Sequence, residues 1–206
     1  MECKVISISR SLGAGGEEIG RLLAHELGFR YADEEIIVRA AERAGVSPQA
    51  VAAAERTPGL ITRILEAMAR TPPDPEGWAA SALALADAPP DYAALIGQVI
   101  VETAREGNVV IVAHGASIPL AGVSGLLRVL VTASPATRVA RLARETDLSE
   151  RAAGKAVKDS DRQRREYLRR FYGLGRELPT HYDLVLNTDH LPPPLAAQVA
   201  ARAARG

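Results

Sequence analysis

The sequence predicts an α/β fold, a parallel sheet flanked by helices in three layers, and three observations carry that expectation. Short runs rich in Val, Ile and Leu stand at Val5 to Ser9, Val109 to Ala113 and Leu127 to Thr132, with a fourth from Asp183 to Asn187. They lack clean alternation and so read as strands buried on both faces. Amphipathic patterns of helical length separate them, which implies parallel pairing through helical crossovers. A glycine-rich turn, SRSLGAGGEEIG, then joins the first strand to the first helix, the context that raises such a motif above chance.

Each element follows from local signals. From Glu17 to Leu27, Ile19, Leu22, Leu23 and Leu27 fall on one stripe, and Gly28 stops the helix. FRYA supplies the second strand, and a helix runs from Glu34 to Ala44. The stretch from Gly45 to Pro90 is rich in Ala and Pro, with TPPDPEG and DAPPD as breakers and no strand signal. Leu60, Ile61, Ile64, Leu65 and Met68 keep helical spacing there, so a helical insert over about 45–90 is expected on the sheet's rim. A helix from Asp91 to Glu106 closes at Gly107, and Pro135 opens another at the position that tolerates it.

The 206 residues are 47% hydrophobic and suffice for one α/β domain over 1–206, with its core in 1–44 and 91–206. Twenty-five basic residues balance 25 acidic ones, so neither a nucleic acid nor a membrane surface is expected as partner. The longest apolar tract is interrupted by His114, Pro119 and Arg128 and reads as strand, connection, strand. The opening MECKVISISR lacks a secretory pattern, and the single Cys3 forms no intrachain disulfide. A cytoplasmic setting, with Cys3 as a buried thiol near the first strand, is the expectation.

Gly13, Gly15 and Gly16 remove side chains where the chain bends, and amides at the following helix N-terminus form an anion cradle. A tight turn without a ligand is the alternative on these residues alone. Beyond them, SISRSLGAGGEEIGRLLAHELGFRYADEEII resembles the opening of the cytidylate kinase-like family, a nucleoside monophosphate kinase branch of the P-loop fold. VVIVAHGAS resembles that family's third strand and following turn, and HYDLVLNT its last strand. LSERAAGKAVKDSDRQRREY resembles its lid, here about 145–176, with a D-x-x-R-x-x-Y pattern at Asp161, Arg164 and Tyr167.

The resemblance implies transfer of the γ-phosphoryl of ATP, with Mg²⁺, to CMP or a related small acceptor. Ser11, Gly13, Ala14, Gly15, Gly16 and Glu17 are then the candidate nucleotide contacts. Aligned on G-x-x-x-x-G-K-[ST], however, Arg10 stands at the first glycine, Gly16 replaces the lysine and Glu17 the metal-binding hydroxyl. The branch as a whole tends to share that lysine-free loop. Either Arg10 supplies the lost charge, its fork suiting phosphate oxygens, or it forms a structural salt bridge. Either Glu17 holds Mg²⁺ or it is a solvated first-turn acid.

Twenty-two of the basic residues are Arg and only three are Lys, namely Lys4, Lys155 and Lys158. From Arg138 to Arg176 twelve basic residues face six acidic ones, so the zero net charge conceals a basic lid on an acidic remainder. Arg162, Arg165 and Arg169 share one helix face, and Arg164 lies with Asp161 and Leu168 on another. By resemblance, Arg162, Arg164 or Arg165 closes over the transferring phosphoryl group; a solvated helix with ion pairs such as Arg162 with Glu166 is the alternative.

Asp33, at the carboxyl end of the second strand, either serves acceptor or metal or caps the next helix. His114 follows the third strand, where the family more often has Arg, and reads as a rim residue or an acceptor contact. Arg63 and Arg70 on the insert, and Asp161 on the lid, complete the acceptor candidates. Tyr167 and Asn187 read as packing and strand-end support. No zinc-type spacing and no Ser/His/Asp or Cys/His set assembles. A phosphotransferase is the leading expectation; the alternatives are a catalytically degenerate nucleotide- or anion-binding regulatory module and a kinase for a non-nucleotide acceptor.

Overall fold

The computed structural model describes residues 3–49, 51–52, 92–112, 115–175 and 177–206. The expected insert, including Arg63 and Arg70, lies almost entirely outside them, as does His114.

Strand β1 (Val5–Arg10) leads through the glycine turn into α1 (Gly16–Leu27), then β2 (Arg30–Ala32) and α2 (Glu34–Ala44). After α3 (Tyr92–Glu106) come β3 (Val109–Val112) and β4 (Leu126–Thr132). Helices α4 (Pro135–Thr146) and α5 (Glu150–Tyr172), a 3₁₀ turn (Pro179–His181), β5 (Leu184–Asn187) and α6 (Pro193–Arg205) complete the chain. The expected strands and helices recur within one or two residues, because Gly28 and Gly45 end their helices in left-handed backbone and Ser134 and Ser149 cap the starts of theirs.

The five strands run in the order β2-β3-β1-β4-β5, with every pair parallel. Such a sheet buries both faces, so successive residues of one strand enter different cores. Ile6 and Ile8 pack with Val110, Val112, Val129 and Val131 under α1 and α6. Val5 turns the other way, with Val109 and Ile111, under α2 and α3. Alanine at 196, 197, 200, 201 and 204 gives α6 a small-residue face buried in the first of these cores with Ile19, Leu23 and Ala24 of α1. Helices α4 and α5 share a third, smaller core of Leu142, Ala153 and Val157.

Cys3 is half-buried where full burial was expected; its thiol donates to the Val5 carbonyl at 3.3 Å, and burial pushes its pKa up. All parallel strands present their carboxyl ends to one edge, so Arg10, Asp33 and Thr188 gather there from distant parts of the sequence. The lid helix α5 borders the same edge.

Candidate active site

The glycine turn is built by two left-handed residues, Gly13 (φ +78°) and Gly15 (φ +81°), with the Ala14 amide donating to Ser11 at 2.9 Å. A Cβ on Gly13 would lie 2.6 Å from the backbone oxygen of Arg138, so glycine there permits a close approach to α4 as well as the bend. Gly16 is required for another reason. A Cβ there would lie 2.5 Å from Cβ and 2.8 Å from Cγ of Arg10. The stem of Arg10 thus fills the space into which a side chain at position 16, the lysine position of ordinary phosphate loops, would grow.

Arg10 and Glu17 face each other across the start of α1, in the salt-bridge arrangement that is one of the two readings for Arg10. Arg10 Nε stands 2.5 Å from Glu17 Oε1, with both side chains about a quarter to a third exposed. The contact is an ion pair without hydrogen-bond alignment, since Nε is shielded and makes no hydrogen bond. Glu17 is therefore not the freely solvated first-turn acid; it faces the cation beside it.

Between the loop, the start of α2 and the lid lies a cleft of about 830 Å³. Arg10, Asp33, Glu34, Gln163, Arg164 and Tyr167 are among the residues that line it. Asp33 occupies the N-cap of α2 yet makes no side-chain capping bond; instead its Oδ2 accepts from the Tyr31 hydroxyl at 3.2 Å. Burial, and then the neighbouring Asp33 charge, push the Tyr31 phenol well up, so it remains a donor to that carboxylate.

The lid arginines separate by geometry. Arg164 borders the cleft and a smaller neighbouring cavity of about 180 Å³, and its guanidinium forks onto Glu177 at 2.9 and 2.7 Å. Glu177 also accepts from the Tyr182 hydroxyl. Arg165 borders the smaller cavity. Arg162 lines neither; it is 60% exposed and pairs with Asp159 at 2.9 Å, where the solvated-helix alternative names Glu166. Tyr167 is a packing residue, stacked edge-on against Phe171 and Tyr172 and close over Gly115.

Asp161, an expected acceptor contact, is held by a residue that sequence reasoning missed. Arg138, nine-tenths buried, forks onto Asp161 at 3.0 and 2.7 Å and donates through Nε to the Leu12 carbonyl at 2.7 Å. One turn on, Arg141 donates to the Gly13 carbonyl at 3.0 Å and to Thr188, whose hydroxyl donates to Ala14 at 2.8 Å. A signal for Arg138 did exist: it shares the buried stripe of α4 with Leu142, an anomalous place for a charge. Asp189 lies in the turn between β5 and α6; the Ser134 backbone amide, then Thr137, hold its carboxyl down at about 2.

Among the described residues no group of three or more His, Cys, Asp or Glu could hold a metal ion, and no helix is long and apolar enough to cross a membrane.

A five-stranded parallel sheet in this order, with a glycine turn after the central strand and an arginine-bearing helical lid, has the architecture of P-loop kinases. The chain belongs to the cytidylate kinase-like family, whose model matches residues 5–190. Among solved structures, an uncharacterized protein from Eubacterium ventriosum superposes with a TM-score of 0.68 at 15% identity, covering 98% of each chain. Shikimate kinase from Bacteroides thetaiotaomicron gives 0.53 at 15% identity over 97% of each chain. A gluconokinase from Sinorhizobium meliloti gives 0.51 at 12% identity, over 98% of this chain and 93% of that one. These likenesses show the fold. No curated protein matches the sequence.

Proposed function

We propose that the protein is a phosphotransferase that moves the γ-phosphoryl group of ATP to a small acceptor, with CMP the acceptor its family suggests first. The observation that carries this reading is the substitution of one cation for another. Arg10 fills the space above Gly16 and lines the cleft beside the glycine turn, so a guanidinium, paired with Glu17, stands where the sequence lacks the loop lysine. Kinase catalysis is largely positioning and charge neutralisation, and a guanidinium meets phosphate oxygens through a fork of donors.

In this reading the glycines of the turn and the first amides of α1 receive the donor phosphates, the Ser11 and Ala14 amides being held within the fold by Val131 and Ser11. Nucleotide entry draws Arg10 from Glu17 onto the phosphate oxygens. Arg164, with Arg165 behind it, stabilises charge developing on the transferred group. Mg²⁺ requires few protein ligands when phosphates supply the rest. Asp33 fits that role, as a carboxylate lining the cleft at the carboxyl end of β2, whereas Glu17 becomes available only once Arg10 leaves it. When bound, the ion neutralises the triphosphate.

Purified protein with ATP, Mg²⁺ and a panel of nucleoside monophosphates and small polyols tests the proposal through acceptor-dependent ADP release. Release with CMP or dCMP supports the nucleotide acceptor; no acceptor-dependent turnover refutes the kinase. A non-nucleotide acceptor is the second reading, favoured by carboxylates of Asp33, Glu34 and Asp159 along the cleft, which repel a phosphate-bearing acceptor. Turnover confined to neutral polyols would select it. Nucleotide binding without turnover, little altered by Mg²⁺, would identify a degenerate binding module.

A further inference from the structure

We propose that Arg138 is a positioning residue that couples the lid to the glycine turn, Asp161 being the lid's half of the coupling. The sequence gives Arg138 no visible partner, since the turn lies 126 residues away. Two distant chain segments, the turn and the lid, nevertheless meet on this one residue. Its Nε holds the Leu12 carbonyl, its two terminal nitrogens hold Asp161 of α5, and its own backbone oxygen packs against Gly13.

The direction of these bonds matters. In a planar trans peptide the carbonyl and the following amide point opposite ways. Drawing the Leu12 oxygen toward α4 therefore turns the Gly13 amide away from α4. Arg141 does the same to the next peptide, whose Ala14 amide is found on Ser11. Two arginines three apart on α4 thus set two consecutive peptide planes of the turn.

Of the two arginines, Arg138 is the one that extends this hold to the lid, beside the apolar packing of Leu12 against Ala153 and Val157. The carboxylate of Asp161 fixes the guanidinium plane bidentately, and the guanidinium plane fixes the direction of Nε. One helical turn beyond Asp161 stands Arg164 at the cleft. The position of α5 that brings Arg164 to the cleft is accordingly the position that orients the turn. The value of this coupling to catalysis rests on the phosphotransferase reading; the coupling itself is measurable without turnover.

Hydrogen exchange of the nucleotide-free full-length protein tests it. The carboxylate of Asp161 is bonded by Arg138 and not by the turn itself, yet Asp161→Asn is expected to accelerate exchange at residues 12–16 about tenfold, along with α5. Asp161→Glu, which keeps the carboxylate, is expected to restore most of the protection in the turn. Arg138→Lys retains the buried charge but cannot fork onto Asp161 while holding Leu12, and is expected to loosen the turn even if Asp161→Asn fails to fold. Acceleration confined to α5, or an Asp161→Glu protein as unprotected in the turn as the Asn variant, overturns the coupling. A wild-type protein with the coupling intact but no turnover would refute the kinase alone.

Discussion

Replacing Gly16 by Ala tests whether the stem of Arg10 fills the space of the missing lysine. The new Cβ would lie 2.5 Å from Arg10 Cβ and 2.8 Å from Cγ, while ordinary carbon contacts need about 3.5–4.0 Å. Either the start of α1 or the end of β1 must then move by roughly 1 Å. Both atoms are close to the backbone, so rotation of the arginine tip does not relieve them. Overpacking of this kind costs about 1–3 kcal/mol. Alanine in place of a helical glycine would by itself contribute about 0.5–1 kcal/mol in the opposite direction. At the middle of these ranges the clash prevails by about 1 kcal/mol, and for a chain of this length Tm falls by roughly 2–4 °C. The partner substitution locates the cause. Arg10→Ala retains the 2.5 Å contact and relieves little, whereas Arg10→Gly removes both contacts and should make Gly16→Ala neutral or stabilising. Thermal or urea unfolding of the four proteins of the Arg10→Gly, Gly16→Ala cycle reads the coupling directly. If Gly16→Ala is as stable as the parent, or is equally harmful without the Arg10 stem, the steric account is wrong and with it the main support for Arg10 as the replacing cation.

Three further outcomes are expected. Gly13→Ala combines left-handed backbone with a 2.6 Å approach to the Arg138 oxygen; it should lower stability by about 1–3 kcal/mol and abolish detectable nucleotide binding in calorimetry. Arg164→Ala should reduce kcat about 10²–10³-fold in the acceptor assay, and Arg162→Ala, whose exposed side chain lines neither cavity, less than about tenfold; the reverse order would reject the assignment of the lid arginines. The third concerns pH. The Asp189 carboxyl is depressed to about 2 by the Ser134 amide, so its stabilising effect is full above the ordinary Asp value. It is lost as pH falls from about 4 through about 2. Acid unfolding of Asp189→Asn should show a shallower loss over that interval, and an unchanged slope would exclude the effect.

Much of the fold was legible because its signals are local. Strand runs without alternation announced a sheet covered on both faces, and the glycines after Leu27 and Ala44 marked the helix ends that they form. The site was legible in its parts but not in its pairings. Arg10 and Glu17 could each be assigned two roles from sequence, and neither reading showed that each is the other's ion-pair partner at 2.5 Å. Asp161, Arg164 and Tyr167 stood out as a spaced motif. Their tasks diverge, however, because successive positions on α5 face different neighbours: Arg138, Glu177 and the ring cluster over Gly115.

What the sequence alone determined, then, is the order of strands and helices, the glycine turn and the local excess of arginine in the lid. These depend on propensity, periodicity and the restricted backbone angles of neighbouring residues. Which arginine does what was decided by tertiary structure. A guanidinium acts through the partners in its reach, and packing brings those partners from far along the chain: Leu12 to Arg138, Gly13 to Arg141 and Glu177 to Arg164. Gly16 shows the same division, for only the fold reveals that it is small in order to admit the stem of Arg10.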